Sequence, residues 1–228
     1  MFRARKNTER EFSRRLRPVA NEIARITSAG QDATTVVYTL EEYAKQLEPW
    51  AQSTAMEIVE RSNRQNVAMW SELSKALSQK LETLASSREA VAMAMEDLAA
   101  EGARLITSLP LETAIQVETA AQTAALTGAR HESLVEYIES RGGVARSRAE
   151  LIARTETARQ TTILTQTRAV SIGSTGYIWR TSDDGRVRPS HAAMDGEFVK
   201  WSEPPTLDGL TGHAGALPNC RCYPEPIV

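Results

Sequence analysis

Apolar residues recur at alternating steps of four and three along residues 66–104, a stretch that has no proline and no glycine before Gly102. The nine stepped positions are Trp70, Ser74, Leu77, Leu81, Leu84, Arg88, Val91, Met95 and Leu98, and all except Ser74 and Arg88 are apolar. Because this period places apolar side chains on one side of a helix, it predicts a long helix over about residues 66–104. The stripe is either a seam between chains or the buried face of an intrachain bundle, and the scarcity of flanking charge pairs favours the bundle.

The rest of the first 170 residues is also predicted to form helices, because helix-breaking residues are sparse. The candidate breakers are Gly30, Pro49, Pro110, Gly128 and the pair Gly142–Gly143. A further helix is predicted over about 144–169, with one face formed by Leu151, Thr155, Ala158, Thr162 and Thr165. The helix is basic through Arg146, Arg148, Arg154, Arg159 and Arg168. These arginines form either a solvated, salt-bridged face or a surface that contacts phosphates.

The composition changes after Ser171, where seven of the 12 glycines and six of the nine prolines are found. A β-hairpin is predicted from strand 177–180 through the turn 182–185 to strand 186–188. Further short strands are predicted over 197–201 and 220–223. The predicted fold is therefore mainly α: a bundle-like region of long helices over 1–170, followed by a small α+β C-terminal domain over 171–228 with short β-hairpins.

The overall charge argues against a general binder of polyanions, because the chain of 228 residues has a net charge of −2. Its 41% hydrophobic and 25% charged residues are ordinary for a globular protein. Residues 1–17 nevertheless form a basic N-terminal arm with seven cationic side chains: Arg3, Arg5, Lys6, Arg10, Arg14, Arg15 and Arg17. This arm is either a contact surface for DNA or an acidic partner, or the solvated start of a helix.

The chain shows no sequence signal for membrane insertion or export. The charged start MFRARK is not followed by an apolar segment, and the longest apolar run, Ala90 to Met95, is far shorter than a membrane span. Two cysteines separated by one residue do not suggest a disulfide framework. We therefore expect a protein made in the cytoplasm, without a membrane segment.

Most of the chemically specialised side chains lie between residues 188 and 222: Arg188, His191, Asp195, His213, Cys220 and Cys222. Thiolate and imidazole are preferred ligands of Zn²⁺, so His191, His213, Cys220 and Cys222 form a candidate structural zinc site. In that hypothesis Asp195 either orients an imidazole or replaces a ligand. The alternative is a buried polar network of Arg188, His191 and Asp195, with the cysteines acting as small apolar residues.

A catalytic role is not expected from these residues. Cysteine, histidine and aspartate are the residue types of a thiol nucleophile, its base and an orienting acid. However, the sequence contains no nucleophile elbow, no phosphate-binding glycine loop and no carboxylate cluster of a nuclease. We therefore expect a protein that is not an enzyme and has no catalytic residues.

The order of motifs in the C-terminal half resembles a known family. The motifs are Ile152–Glu156 (IARTE), Tyr177–Trp179 (YIW), Asp183–Arg188 (DDGRVR), Ser190–His191, Met194–Gly196 (MDG), Phe198 and Pro218–Cys222 (PNCRC). Over about residues 140–228 the chain is similar to the phage Mu F-like minor head proteins, or head morphogenesis proteins, of tailed phages, prophages and gene-transfer particles. One departure is His213-Ala214-Gly215, where the family usually has a His-Pro-Gly-like element.

This resemblance implies a structural protein of the virion that acts in head morphogenesis at or near the portal vertex. It further implies a role in genome packaging or delivery, with the portal protein, the major head protein or both as partners. Non-specific contact with DNA and oligomerisation through the long helices are additional expectations. The alternative hypothesis is a zinc-stabilised DNA-binding module that acts during packaging or ejection.

Overall fold

The computed structural model of the protein describes residues 2–4, 6–76 and 88–228. Four long helices precede a region of short strands, which confirms the predicted mainly α fold with a small α+β C-terminal region. The helices are α1 (Lys6–Thr27), α2 (Ala33–Ala76), α3 (Arg88–Thr127), α4 (His131–Ser171) and the short α5 (Pro189–Ala192). The strands are β1 (Gly176–Arg180), β2 (Phe198–Lys200), β3 (Thr206–Leu207), β4 (Leu210–Thr211) and β5 (Tyr223–Pro226).

The structure describes both ends of the segment that was predicted to form a helix over 66–104, and both ends are helical. Residues 66–76 belong to α2, and residues 88–104 belong to α3. The middle of the prediction, with Leu77, Leu81 and Leu84, lies outside the described residues. Both helices also extend well beyond the predicted bounds, since α2 begins at Ala33 and α3 ends at Thr127.

Two of the predicted breakers coincide with helix ends. Gly30 has a φ of +65° between α1 and α2, and Gly128 has a φ of +66° directly after α3. This left-handed conformation is accessible to glycine at little cost, which suits a residue that terminates a helix. The predicted breaks at Pro49 and Pro110 are wrong, because both prolines lie inside helices.

The packing of neighbouring residues explains why these prolines are tolerated. An internal proline costs a helix about 3 kcal/mol. Leu47 and Ala51 on either side of Pro49 are buried, as is Leu109 next to Pro110. Burial of a large aliphatic side chain contributes about 1.5–3 kcal/mol, so a few such residues offset the cost of the proline.

The Gly142–Gly143 pair also lies inside a helix, so the predicted start of that helix at about 144 is wrong. Helix α4 begins at His131. A Cβ atom at Gly142 would lie 2.5 Å from the Cβ atom of Ala24, so glycine permits close packing of α1 on α4. A Cβ atom at Gly143 would meet nothing within 4 Å.

The chain forms two compact units that do not follow the order of the sequence. One unit contains Met1–Glu9, Met56–Ala99 and Arg154–Val228, and the other contains Arg10–Ala55 and Ala100–Ala153. The C-terminal strands therefore share a unit with parts of α2, α3 and α4. The sequence-based division at about residue 170 stays a prediction.

The core of the first unit surrounds the C-terminal sheet. Its main apolar cluster combines aromatic residues of the strands with residues from the helices and the cysteine loop. The buried members are Phe2, Met69, Trp70, Ala169, Tyr177, Trp179, Val199, Trp201, Ala214, Leu217, Cys220 and Cys222. A smaller cluster contains Val59, Val91, Leu98, Ala99 and Leu164. The C-terminal region thus buries its aromatic side chains with help from the long helices.

Strand β1 is the centre of a three-stranded antiparallel sheet with the order β2-β1-β5. Tyr177 lies opposite Val199 on one side and opposite Pro226 on the other. A separate two-stranded hairpin joins β3 to β4 through Asp208 and Gly209. Both turn residues have positive φ, +52° and +77°, which matches the turn that best fits a tight hairpin.

The predicted hairpin between 177–180 and 186–188 is wrong, because β1 pairs with β2 and β5 instead. Local hydrogen bonds explain the difference. The Arg186 N–H donates to Asp184 Oδ1 at 3.1 Å, and the Val187 N–H donates to the Asp184 carbonyl oxygen at 3.0 Å. These bonds close a turn and remove donors that a strand would need. The third predicted strand is present as β2, and the last strand begins at Tyr223 rather than at Cys220.

One arginine of the basic helix is buried in a polar network. Arg168 donates from Nη1 to Asn66 Oδ1 at 2.6 Å and from Nη2 to Asn63 Oδ1 at 2.5 Å. Burial lowers the pKa of Arg168 to about 10, so the group stays charged near neutral pH. Asn66 also donates to Thr165 Oγ1 at 2.8 Å, and the network therefore ties α2 to α4.

Within the described parts of the chain, none of the helices combines the length and the apolar character needed to cross a membrane.

The two adjacent glycines of α4 provide a matched test of the packing. We expect Gly142→Ala to lower the free energy of unfolding by about 1–3 kcal/mol, because its methyl group must displace Ala24. Gly143→Ala should raise this free energy by about 0.5–1 kcal/mol, because the same change meets open space within a helix. Urea unfolding monitored by circular dichroism measures both values. Equal stability of the two variants would contradict the close packing at Gly142.

Candidate metal centre

Three structural elements bring His191, Cys220 and Cys222 together. His191 lies on α5, a short helix that begins at Pro189, where the missing proline N–H costs nothing. Cys220 is the last residue of a turn over residues 217–220, and Cys222 directly precedes β5. All three side chains are buried, with His191 only 2% exposed and each cysteine 5% exposed.

The imidazole of His191 faces both sulfur atoms. Its Nδ1 atom lies 3.3 Å from Cys220 Sγ and 3.6 Å from Cys222 Sγ. In a tetrahedral zinc site, bond lengths of about 2.0–2.1 Å to nitrogen and 2.3 Å to sulfur separate the two ligand atoms by about 3.5 Å. One potential ligand atom from each residue lies within 4.8 Å of the other two. The spacing therefore fits three ligands of one metal ion.

The imidazole is oriented by packing and by the sulfur atoms. Its ring lies edge-to-face with Trp179 at a centroid distance of 5.6 Å. Its Nε2 atom is buried and has no hydrogen-bond partner among the residues that the structure describes. Among the described residues, the sulfur atoms are thus the only polar groups within hydrogen-bonding reach of this ring.

Cys220 is arranged as a stabilised thiolate. Hydrogen bonding from the Cys222 side chain is the largest of the effects that lower the pKa of Cys220 to about 5, despite the opposing effect of burial. The backbone N–H groups of Gly215 and Cys222 also donate to its sulfur, at 3.4 and 3.5 Å. The pKa of Cys222 is raised, because its proton is held by the neighbouring sulfur and its own charge would be buried. The pair therefore favours one thiolate and one thiol.

The structure does not bring the predicted fourth ligand into this group. His213 Nδ1 lies 3.2 Å from the Tyr177 hydroxyl, and the His213 ring packs against Tyr177 and Trp201. Burial lowers the pKa of His213 and so favours its neutral form. The cluster of potential ligands in the described chain contains His191, Cys220 and Cys222 alone.

Arg188 and Asp195 bond to groups other than His191. Arg188 donates from Nη2 to the Pro218 carbonyl oxygen, and its Nη1 lies 3.8 Å from Asp208 Oδ2. Asp195 is exposed and accepts a hydrogen bond from the Thr181 N–H at 2.7 Å. Neither contact orients the imidazole of His191.

The turn before Cys220 explains the Pro-Asn pair of the motif. The Cys220 N–H donates to the Leu217 carbonyl oxygen at 3.0 Å, and Asn219 has a φ of +56°. Proline at the second position and a left-handed residue at the third are typical of a type II turn. Arg188 bonds to this turn, while Arg221 pairs with Asp184 at 2.8 Å. The motif residues of the 183–191 segment are therefore bonded to those of the 217–222 segment.

Helix α4 contributes contacts that the sequence did not identify as part of a site. Thr162 donates to the Ala214 carbonyl oxygen at 2.7 Å, and Thr155 Oγ1 accepts from the Asn219 N–H at 3.0 Å. Arg154 donates to the Asn219 side chain at 2.7 Å. The helical period placed Thr155 and Thr162 on one face, but their partners are far away in the sequence.

The basic residues of the N-terminal arm lie mainly on helix α1. Arg14 and Arg15 both bond to Glu11, at 2.7 and 3.1 Å, which partly neutralises the surface. Arg3, Lys6, Arg10 and Arg17 are exposed, and Arg5 lies outside the described residues. In α4, Arg146, Arg148 and Arg154 contact Asn21, Glu112 and Glu9, respectively. A DNA-binding role for either surface stays a prediction.

Comparison with known proteins confirms the resemblance of the C-terminal half. Residues 115–224 match the family described as Phage Mu protein F like protein. Over this segment the chain is therefore similar to the Phage Mu F-like family, and this likeness is what relates it to phage head morphogenesis.

One relative is a Haemophilus influenzae protein described as uncharacterized, which is 34% identical over 131 residues. The match covers 58% of this chain and 29% of the relative, so this chain corresponds to less than a third of that protein. No solved structure matches the chain.

The cysteine pair predicts an unusual titration of the metal-free protein. We expect Cys220 to lose its proton at about pH 5, so one thiolate should be present at neutral pH. Because folding lowers the pKa of Cys220, its contribution to stability is complete above the unfolded value of 9.0 and is lost as the pH falls through about 5. Ultraviolet absorbance of the thiolate measures the titration.

The matched variant for this titration is Cys222→Ala. It removes the largest cause of the lowered pKa of Cys220, so the remaining thiol should titrate at a higher pH than Cys220 in the wild type. Joint titration of both wild-type thiols at the ordinary value would contradict the shared-proton arrangement.

Proposed function

We propose that the protein is a minor head protein of a tailed phage or phage-like particle that acts in head morphogenesis at or near the portal vertex. The match of residues 115–224 to the Phage Mu F-like family carries this proposal. Its partners are then the portal protein, the major head protein or both, and its place is the head or portal region of the virion. A contribution to genome packaging or delivery is part of the proposal.

The way the motif residues are used supports a structural rather than an enzymatic role. Arg188 bonds to Pro218, Arg221 pairs with Asp184, and His191 contacts both cysteines. These contacts join segments of one domain and bury the most reactive side chains. Residues that serve catalysis must instead be reachable by a substrate.

The long helices offer surface for partners. Several large apolar side chains of the second unit are exposed, with Ile115 61%, Tyr38 64% and Leu126 88% accessible. Apolar residues of this size at the surface are a feature of interaction sites when they form patches. Ile115 also lines a groove of about 480 Å³ together with Leu134 and Tyr137.

The location of the protein in particles tests the proposal. We expect it to co-purify with mature heads and with isolated portal complexes, and to occupy density next to the portal in a particle map. Ile115→Glu should reduce this association without unfolding the chain, because Ile115 is exposed, while Glu118→Gln on the same helix serves as a control.

Absence from heads and portal complexes would contradict the assembly role. If the protein were absent from them but bound DNA in a salt-dependent way, the result would instead support a zinc-stabilised DNA-binding module.

We further propose that His191, Cys220 and Cys222 hold one structural Zn²⁺ ion. The observation that supports this is a buried set of two sulfurs and one imidazole at the separation that zinc ligands have. A divalent cation would also neutralise the buried Cys220 thiolate. The metal would then stabilise the small C-terminal region, which has few residues with which to build a core.

Metal analysis of protein purified without chelator tests the zinc proposal. We expect about one zinc per chain in the wild type and a clear loss in Cys220→Ser and Cys222→Ser, because hydroxyls are poor zinc ligands. His213→Gln should retain the metal, because His213 contacts Tyr177 rather than the sulfurs. Less than about 0.2 equivalents in a folded wild-type protein would exclude a structural zinc.

A further inference from the structure

The face of α4 that contains Thr155 and Thr162 lies directly against the loop that carries the cysteines. Thr162, which is buried, donates to the Ala214 carbonyl oxygen at 2.7 Å. The Tyr177 hydroxyl accepts a hydrogen bond from the Ala214 N–H at 3.2 Å, so both polar groups of the Ala214 backbone are bound. The next residue, Gly215, directs its N–H at Cys220 Sγ over 3.4 Å.

Thr155 binds the residue that immediately precedes the same cysteine, Cys220. Its Oγ1 accepts from the Asn219 N–H at 3.0 Å, and Asn219 immediately precedes Cys220 in the tight turn. Thr155 and Thr162 are seven residues apart, which places them two turns apart on one helix face. Helix α4 therefore binds the loop at two residues, Ala214 and Asn219, which both precede Cys220 in the chain.

We propose that Thr155 and Thr162 are positioning residues of the metal centre, which hold the cysteine loop so that Cys220 Sγ meets His191 Nδ1. The inference rests on the zinc site proposed above. Groups that orient metal ligands commonly change metal affinity by about 10–100-fold when they are removed. Each threonine acts through its hydroxyl group, and neither touches the metal.

The hydrogen bond of Thr162 is buried and that of Thr155 is exposed, and this difference determines which threonine has the larger effect on metal binding. Loss of the Thr162 hydroxyl leaves the Ala214 carbonyl oxygen without this donor in a buried place, which is costly. Loss of the Thr155 hydroxyl frees an exposed N–H that water can bind. We therefore expect Thr162→Val to weaken metal binding by about tenfold and Thr155→Val by about threefold.

The experiment compares valine and serine at both positions in the full chain. Valine keeps the shape of threonine and removes the hydroxyl, whereas serine keeps the hydroxyl. Cobalt(II) substituted for zinc gives thiolate-to-metal and ligand-field absorption, and competition with a chelator gives the dissociation constant. Thr167→Val is the matched control, because Thr167 lies on the same helix and its hydroxyl donates to the Ile163 carbonyl oxygen of that helix.

The expected result is weaker binding and an altered cobalt spectrum in the valine variants, near wild-type behaviour in the serine variants, and no change in Thr167→Val. Unchanged affinity and spectrum in both valine variants would overturn the inference, as would equal losses in the serine and valine variants. If Thr162→Val does not fold, Thr155→Val decides, since its hydrogen bond is exposed. A folded wild type that binds neither zinc nor cobalt would refute the zinc proposal itself, and this inference with it.

Discussion

The close approach of Gly215 to helix α4 is the contact on which the C-terminal region depends. A Cβ atom at this position would lie 2.5 Å from Thr162 Oγ1 and 2.9 Å from the Cys222 carbonyl oxygen, and the φ of Gly215 is +86°. Glycine is therefore required for space and for conformation. With the backbone this close, the Thr162 hydroxyl reaches Ala214 and the Gly215 N–H reaches Cys220. A larger residue would separate the loop from the helix and the cysteines from His191.

The segment that matches the family includes the helix that completes the C-terminal region. The apolar cluster around the sheet includes Ala169 of α4 and Met69 and Trp70 of α2, so the strands do not bury their aromatic residues alone. Small regions bury too small a fraction of their surface to be stable without such support. The match starts at residue 115, upstream of the strands, and so contains all of α4. The segment that matches the family therefore includes this helix, the cysteine loop and strands β1 to β4.

The sequence was sufficient for features that depend on local pattern and insufficient for those that depend on distant partners. Periodicity predicted the helix over 66–104, whose described ends belong to α2 and α3, and the scarcity of helix breakers predicted helices in the rest of the first 170 residues. Aromatic or β-branched runs predicted β1 and β2. The breaks at Pro49 and Pro110 were wrong because tertiary packing outweighs local propensity, and the 177–188 hairpin was wrong because Asp184 closes a local turn. The period placed Thr155 and Thr162 on one face. Their role was hidden because their partners, Asn219 and Ala214, lie 64 and 52 residues away.

The contacts of His191, Arg188 and Asp195 bear on both the metal hypothesis and the polar network that was predicted as its alternative. A network would need Arg188 or Asp195 beside the imidazole, but these side chains bind Pro218 and Thr181. Among the described residues, the polar partners of His191 are the two sulfurs, and the pKa of Cys220 is lowered by the Cys222 side chain and by two backbone N–H groups. A buried anion is costly unless a cation or several donors compensate it. The buried set of one imidazole and two sulfurs therefore has the composition and the spacing of a group that could hold a metal ion.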